Sequence, residues 1–271
     1  MMAARAISLS GTSFRDRTAQ DMRRALPEET PVAIVYNGST QAVMMATPDD
    51  LMDFGRGFSL SEGIVDSLSQ IEGIEVVTHS EGLEIQMWLA EDKAEALAAR
   101  RRTMTGPVGC GLCGIDSLSE AVRALPVVTA PLTFTPKDID DAVNGLTANQ
   151  PLHDQTRAVH GAAFYVPGQG IALAREDVGR HNAMDKLIGA MAAAGVDPTS
   201  GAFVLTSRVS VDMVQKCAMA GVPVLIAVSA PTAHAVRTAD AAGITIAALA
   251  RGAGFDLFTH PERIDGGHNV A

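Results

Sequence analysis

The alternation of apolar and polar side chains predicts a small α+β unit in the first part of the chain. Apolar or alternating segments predict strands at 31–36, 41–46, 71–77 and 83–89, and an Ala- and Glu-rich segment predicts a helix at 91–102. Asn37-Gly38 lies between the first two strands and is typical of a β-hairpin turn.

A second helix is predicted after the hairpin. Thr47 has the side chain of an N-cap, Pro48 suits the first helical position, and acidic residues follow in the first turn. Leu51, Phe54 and Phe58 then recur at helical spacing, which predicts one apolar face.

Strands and helices alternate in the second part of the chain. The pattern predicts strands at 158–166, 170–174, 202–206, 223–228 and 243–249, and helices at 182–194, 211–220 and 233–242. Continuous apolar strands between short helices favour a parallel or mixed sheet that is covered on both faces. The predicted class is therefore α/β, with a flexible tail at 1–27, an α+β domain at 28–104, a Gly-rich loop and helix at 105–125, and an α/β domain at 126–271.

Composition excludes several classes of protein. The chain has 271 residues, 47% of them hydrophobic, and a net charge of −10, which argues against global disorder and against a general duplex-binding protein. Residues 49–95 carry 12 acidic and 2 basic side chains, typical of a solvated face or of a docking surface for a basic partner. We find no signal peptide and no apolar run that would span a membrane, and we expect a cytoplasmic protein.

The cysteines point to thiol chemistry. There are only 3 of them, too few for a secreted disulfide framework. Cys110 and Cys113 form a CxxC within the Gly-rich segment 106–114, which is incompatible with a helix or a central strand. A zinc site and a thioredoxin-like dithiol stay open, but a sulfur carrier fits a loop that lies before the next predicted helix. Cys217 falls on the predicted core face of a helix and is interpreted as a buried structural thiol.

Polar residues follow several predicted strands. Residues 175–186 contain Arg175, Arg180 and Lys186, which either hold phosphate or form a buried ion-pair network. Ser207-Arg208 and the segment from Ser229 to Thr232 also lie at strand-to-helix junctions. Ligands bind at the carboxyl ends of strands in open α/β sheets, so these segments predict one shared polar pocket.

Taken in order, these motifs resemble the formate dehydrogenase accessory sulfurtransferase family, the FdhD/NarQ family. The resemblance covers about 31–264 and rests on YNGSTQAVMMATPDDLMDFGRGFSLSEGIV at 36–65, GCGLCG at 109–114, HGAAF at 160–164, REDVGRHNAMDKLIG at 175–189, SRVSVDMVQKCAMAGVPVLIAVSAPTAHAV at 207–236 and THPERI at 259–264.

The resemblance implies a cytidine-deaminase-like, three-layer α/β fold for 126–271, and a specific role for the thiols. Cys110 matches the persulfide position and Cys113 its partner. Deaminase chemistry itself is not expected, because it needs H-x-E before P-C-x-x-C and the chain has His160-Gly161-Ala162 instead.

The implied activity is a sulfurtransferase that receives sulfur from a cysteine desulfurase and sulfurates the molybdenum cofactor, as bis-molybdopterin guanine dinucleotide, for formate dehydrogenase. The cofactor is a bound substrate, and neither a permanent cofactor nor a metal ion is expected. The expected partners are the desulfurase, the catalytic subunit of formate dehydrogenase and a second copy in a homodimer. The alternatives are a non-catalytic chaperone of the cofactor and a zinc-binding structural module.

The residues assigned to the cofactor combine the resemblance with the polar strand ends. They are Leu249, Ala250, Arg251, Gly252, Ala253, Gly254, Ser207, Arg208, Ser229 and Thr232. A tight turn without a binding role is the alternative for 249–254.

Overall fold

The computed structural model describes residues 4–103, 125–252 and 254–267. Its strands are β1 Ala6–Arg15, β2 Thr18–Pro27, β3 Thr30–Tyr36, β4 Ser39–Ala46, β5 Ile71–Thr78, β6 Leu83–Leu89, β7 His160–Val166, β8 Gly170–Asp177, β9 Ala202–Leu205, β10 Val224–Ala227, β11 Thr245–Arg251 and β12 Gly254–Leu257. Its α-helices are α1 Leu51–Ser61, α2 Glu91–Thr103, α3 Pro136–Ala148, α4 Pro151–Thr156, α5 Arg180–Ala194, α6 Val211–Ala220 and α7 Ala233–Ala241. Both thiols of the CxxC and nearly all of the predicted 105–125 segment lie outside the described residues.

The predicted tail at 1–27 is instead a β-ribbon. Strands β1 and β2 pair in antiparallel register along their whole length, and Asp16 and Arg17 form the turn with positive φ angles of 49° and 65°. The prediction was wrong because the small and charged residues of this segment hide a period-two pattern. Ile7 and Leu9 alternate with serines along β1, and Leu26 lies directly across from Ile7.

The predicted α+β unit is a four-stranded sheet in the order β4-β3-β6-β5. Its first hairpin is confirmed, since Asn37 and Gly38 turn the chain with φ angles of 48° and 75°. One face of the sheet packs against α1 and α2 to form a core that includes Ile34, Phe54 and Leu97.

The second part of the chain forms a six-stranded sheet in the order β12-β11-β10-β9-β7-β8. Strands β8 to β11 run in one direction, and β7 and β12 run against them. Helices α5, α6 and α7 cover one face and α3 covers the other, with a hydrophobic cluster on each side. The α/β class is thereby confirmed, and all residues of β9 and β10 are buried, as their continuous apolar sequences predict.

Helix α1 begins later than predicted, and Thr47 does not cap it. Asp50 is the N-cap, with a positive φ of 52° and no side-chain cap. The fully buried Thr47 instead accepts a hydrogen bond at Oγ1 from the Val178 N–H, at 3.1 Å. A tertiary contact with the second part of the chain therefore takes the hydroxyl that local capping would have used.

Helices α1 and α5 join the two parts of the molecule by direct backbone contact. A Cβ at Gly57 would overlap the carbonyl of Asp185, and a Cβ at Gly189 would overlap the carbonyl of Asp53. Only glycine permits this approach. It also explains why ten consecutive residues of α5, 182–191, are buried between α1 and the six-stranded sheet.

Buried ion pairs flank the helix crossing. Lys186 Nζ lies 2.7 Å from Asp177 with both side chains fully buried, and it also donates to the carbonyl of Thr47 at 2.9 Å. Lys216 lies 2.8 Å from Asp185 and 2.8 Å from Glu62 at the end of α1. Each cation thus contacts both parts of the molecule.

We predict that Gly57→Ala lowers the free energy of unfolding by about 3 kcal/mol or more, because the new methyl group overlaps backbone that cannot move independently. Urea denaturation measures the effect. Gly145→Ala in α3 is the matched control, because the atoms nearest its new Cβ belong to the Ile171 side chain and not to backbone. An unchanged or increased stability of Gly57→Ala would contradict the backbone contact between α1 and α5.

Candidate functional site at the carboxyl edge of the six-stranded sheet

The strand directions bring the predicted polar segments to one edge of the sheet. The carboxyl ends of β8, β9, β10 and β11 and the start of β7 meet there, together with the first turns of α5, α6 and α7. The sequence predicted a shared edge, and the topology places these segments along it.

The loops after β9 and β10 are tied to each other. Val209 and Pro231 form a parallel bridge, the Val209 N–H donates to Ala230 and the Thr232 N–H donates to Val209. Thr232 is the N-cap of α7, and its Oγ1 accepts from the Ala235 N–H at 3.2 Å. Its hydroxyl therefore has a structural role whether or not it also meets a ligand.

The serines and Arg208 of the shared edge differ in exposure. Ser207 is 5% exposed and donates its hydroxyl to the carbonyl of Arg208, whereas the Arg208 side chain is exposed. Ser229 is half-buried, and its carbonyl accepts from the Leu249 N–H at 3.2 Å. This last bond fixes the end of β11 against the loop after β10.

The segment 249–254 forms the irregular end of β11 and the turn into β12. Leu249 has a φ of 55° and is exposed at a break in the register, while Ala250 returns to the core. Gly252 also has a positive φ and faces open space, Gly254 begins β12, and Ala253 lies outside the described residues. The segment is a turn at the shared edge, so its position fits both a binding loop and a purely structural one.

Three arginines are distributed along this edge. Arg251 ends β11 and donates from Nε to the carbonyl of Val228 at 2.9 Å, Arg208 follows β9, and Arg180 follows β8. The three arginines come from different strand ends of one edge. Cations from separate strand ends can contact more than one group of a multiply charged anion.

The two interpretations of segment 175–186, phosphate binding and a buried ion-pair network, apply to different residues. Arg175 pairs with Asp53 at 2.8 Å and Lys186 with Asp177, so these two cations belong to an ion-pair network that joins the two parts of the molecule. Arg180 differs, because its buried Nε has no hydrogen-bond partner among the described residues. Arg180 is therefore the residue of this segment that keeps a capacity to bind an anion.

The first turns of α5 and α6 meet through a histidine and an aspartate that the sequence did not single out. His181 Nε2 lies 3.7 Å from Asp212 Oδ2, and contact with this ring holds the pKa of Asp212 below its ordinary value. Burial and the neighbouring Arg180 lower the pKa of His160, which favours the neutral form of its ring. His181 and Asp212 each lie at a strand-to-helix junction. This position was the sequence signal that could have identified the two residues.

The comparisons with known proteins agree with these motifs. The model of the FdhD/NarQ family matches residues 27–265. The chain belongs to the FdhD/NarQ family.

Relatives in this family are similar along most of their length. A protein of Agrobacterium fabrum named "Sulfur carrier protein FdhD" is 54% identical over 254 residues, 93% of this chain and 94% of that protein. A protein of the same name from Brucella abortus is 55% identical over 246 residues, 90% of this chain and 91% of that protein. A crystal structure of a formate dehydrogenase accessory protein from Desulfotalea psychrophila matches with a TM-score of 0.75 and 25% identity, over 96% of this chain and all of that one.

Cys217 lacks the exposure that a reactive thiol needs. It is fully buried in α6, its Sγ lies 3.3 Å from the carbonyl of Val222, and burial raises the pKa of its thiol. The interpretation of Cys217 as a core residue is confirmed.

Two further observations concern metals and membranes. Within the described ranges, no group of three or more His, Cys, Asp or Glu side chains is arranged to hold a metal ion. No helix in the same ranges has both the length and the apolar character needed to cross a membrane.

We predict that iodoacetamide leaves Cys217 unmodified in the native protein and alkylates it in urea, because only the exposed thiolate reacts. Peptide mapping by mass spectrometry gives the modified fraction, and the denatured sample is the positive control. Alkylation of native Cys217 at the rate of a free cysteine would show that it is not a core residue.

Proposed function

We propose that this protein is a sulfurtransferase that carries sulfur for the maturation of formate dehydrogenase. The support is the family membership, with relatives of about 50% identity named sulfur carrier proteins and a solved relative described as a formate dehydrogenase accessory protein. The donor in this proposal is a cysteine desulfurase, and the acceptor is the molybdenum cofactor in its bis-molybdopterin guanine dinucleotide form.

The first step is a sulfane transfer to Cys110. Its thiolate attacks the terminal sulfur of the desulfurase persulfide, a new S–S bond forms, and the old S–S bond breaks. The electron pair leaves on the cysteine sulfur of the desulfurase, so no net oxidation takes place. Cys110 then carries a persulfide.

The second step releases sulfur at the oxidation level of sulfide. Cys113 attacks the Sγ of Cys110, the two cysteines form a disulfide, and the terminal sulfur leaves with the electron pair as sulfide for the molybdenum. The two electrons come from the CxxC itself, so a dithiol reductant must reduce the disulfide before the next cycle.

The observation that supports the acceptor is the row of three arginines at the carboxyl edge. A guanine dinucleotide cofactor is long and carries several phosphate charges, and Arg180, Arg208 and Arg251 follow or end three strands that meet at one edge, in a protein whose net charge is −10. Gly252 adds backbone that faces open space beside Arg251. In this proposal the edge binds the cofactor while the CxxC delivers sulfur to it.

We predict that incubation of the protein with cysteine and a cysteine desulfurase adds about 32 Da to its intact mass, the mass of one sulfur atom, and that a thiol reductant removes the adduct. Cys110→Ala should lose the adduct and abolish formate dehydrogenase activity in cells. Cys113→Ala should keep the adduct but release it more slowly. Cys217→Ala, in the core, is the control and should leave sulfur transfer intact.

Three outcomes would contradict this mechanism. Full formate dehydrogenase activity with Cys110→Ala would exclude the persulfide on that residue. Binding of the cofactor without any sulfur turnover would favour the non-catalytic chaperone, and stoichiometric zinc in the purified protein would favour the zinc-binding module.

We predict that GDP binds the protein and raises its melting temperature, and that AMP binds more weakly. Arg251→Ala should weaken GDP binding about tenfold, and high salt should weaken binding by the wild type, because the contact is partly electrostatic. Isothermal titration calorimetry measures both effects. Arg237→Ala removes an exposed arginine from α7 and is the matched control.

Equal GDP affinities of Arg251→Ala and the wild type would remove Arg251 from the site. No binding of GDP by the wild type at millimolar concentration would reject the pocket at this edge, while leaving the persulfide chemistry of Cys110 to stand on its own test.

A further inference from the structure

Two consecutive residues at the start of α5 carry buried nitrogen atoms that lack a hydrogen-bond partner. Neither Arg180 Nε nor His181 Nε2 has an acceptor among the described residues. His181 Nε2 lies 3.7 Å from Asp212 Oδ2, which is too long for a hydrogen bond. Unsatisfied buried donors are rare in folded proteins, because such groups have lost water without gaining a partner. A ligand that accepts hydrogen bonds would satisfy both atoms.

His160 lies beside these two residues. It is the first residue of β7, and alternation along the strand places it on the face that packs against α5. The strand register pairs it with Asp177, three residues before Arg180. The ring is half-buried, and burial together with the nearby Arg180 and His181 lowers its pKa, which favours the neutral form with one N–H donor. Three nitrogen-bearing side chains therefore meet at one corner of the carboxyl edge, between β7, α5 and α6.

The charges at this corner favour a monoanion. Arg180 carries a positive charge, and Asp212 balances it, because contact with the His181 ring holds the pKa of this carboxyl below its ordinary value. Asp177 is already paired with Lys186 at 2.7 Å. A phosphate dianion would therefore bring two negative charges to a corner that is close to neutral. A monoanion brings only one, which a proton on the His181 ring offsets.

Hydrosulfide is a monoanion that the proposed reaction releases. When the Cys113 thiolate attacks Cys110 Sγ, the S–S bond of the persulfide breaks, and the terminal sulfur leaves as HS⁻ with the electron pair and its own proton. This ion has a single heavy atom, so it fits between side chains without a large cavity. A guanidinium is weakly hydrated and donates N–H groups in a fixed geometry, which suits such an anion.

We propose that Arg180, His181 and His160 bind hydrosulfide and hold it between its release from the CxxC and its transfer to the molybdenum cofactor. This site rests on the proposed function and adds a place for the sulfur within it. The buried Nε of Arg180 contacts the sulfur, while the other N–H groups of the guanidinium serve the cofactor. Asp212 is a positioning residue, because it acts on the sulfur only through the ring of His181.

Nuclear magnetic resonance of protein with isotopically labelled histidines tests the binding. At pH 8, hydrosulfide should shift the ring signals of His160 and His181 with one common Kd, and so should thiocyanate, a monoanion that does not take up a proton. The signals of His79, which follows β5 in the four-stranded sheet, should not move. Inorganic phosphate, a dianion at this pH, should bind at least tenfold more weakly than hydrosulfide.

Variants separate this site from the rest of the proposed function. His181→Ala and His160→Gln should each weaken thiocyanate binding about tenfold, and Arg180→Met at least as much, because each removes a donor. His181→Ala should bind GDP like the wild type and still gain a persulfide on Cys110, but formate dehydrogenase activity in cells should fall. Arg237→Met, which removes an exposed arginine from α7, is the matched control and should bind thiocyanate like the wild type.

The absence of ring shifts with about 50 mM hydrosulfide or thiocyanate would overturn the proposal, and so would tighter binding of phosphate than of either monoanion. Full formate dehydrogenase activity in a folded His181→Ala protein that no longer binds thiocyanate would also overturn it, because the held sulfide would then have no part in the transfer. A wild type that gains no persulfide on Cys110 would instead reject the proposed function, whereas the anion titrations need no desulfurase and give a separate result.

Discussion

Backbone contact between α1 and α5 is the constraint on which the other features of this molecule depend. Because Gly57 and Gly189 lack side chains, the two helices approach closely enough for α5 to be enclosed between α1 and the six-stranded sheet. The same approach brings Thr47 to Asp177 and Val178, at the point where β8 ends and α5 is about to begin. The N-terminal part of the chain therefore fixes the place from which Arg180 and His181 project.

The buried ion pair at this joint is well satisfied. Besides Lys186, the carboxylate of Asp177 accepts hydrogen bonds from the N–H groups of Thr47 and Gly179 and from the side-chain amide of Asn182. Burying two charges costs several kcal/mol in desolvation, and bonds of this number and geometry are needed to offset that cost. What the pair adds is specificity, because only one relative position of the two parts satisfies all of these groups.

Local sequence patterns predicted most of the fold, and long-range contacts account for what they missed. The hairpin at Asn37-Gly38 and the buried strands β9 and β10 follow from turn chemistry and continuous apolar runs. Thr47 has the signature of a helix cap, but its hydroxyl bonds a residue 131 positions away, which no local pattern reveals.

The ribbon and the candidate site show the same limit of prediction from local sequence patterns. The ribbon was mistaken for a tail because its apolar residues are few and are not buried within its own chain. The shared edge could be predicted because parallel strands end together. The contact between His181 and Asp212 could not be predicted, because it depends on how helices α5 and α6 pack side by side.

In a sulfur carrier with three cysteines, the third thiol must not react with the persulfide. A persulfide reacts with any accessible thiolate, so a third reactive cysteine would take the sulfane sulfur away from the CxxC. Cys217 does not compete, because it is fully buried and burial favours its neutral S–H form. Because the core cluster around α6 encloses it, the packing that stabilises the α/β sheet also limits the proposed sulfur chemistry to Cys110 and Cys113.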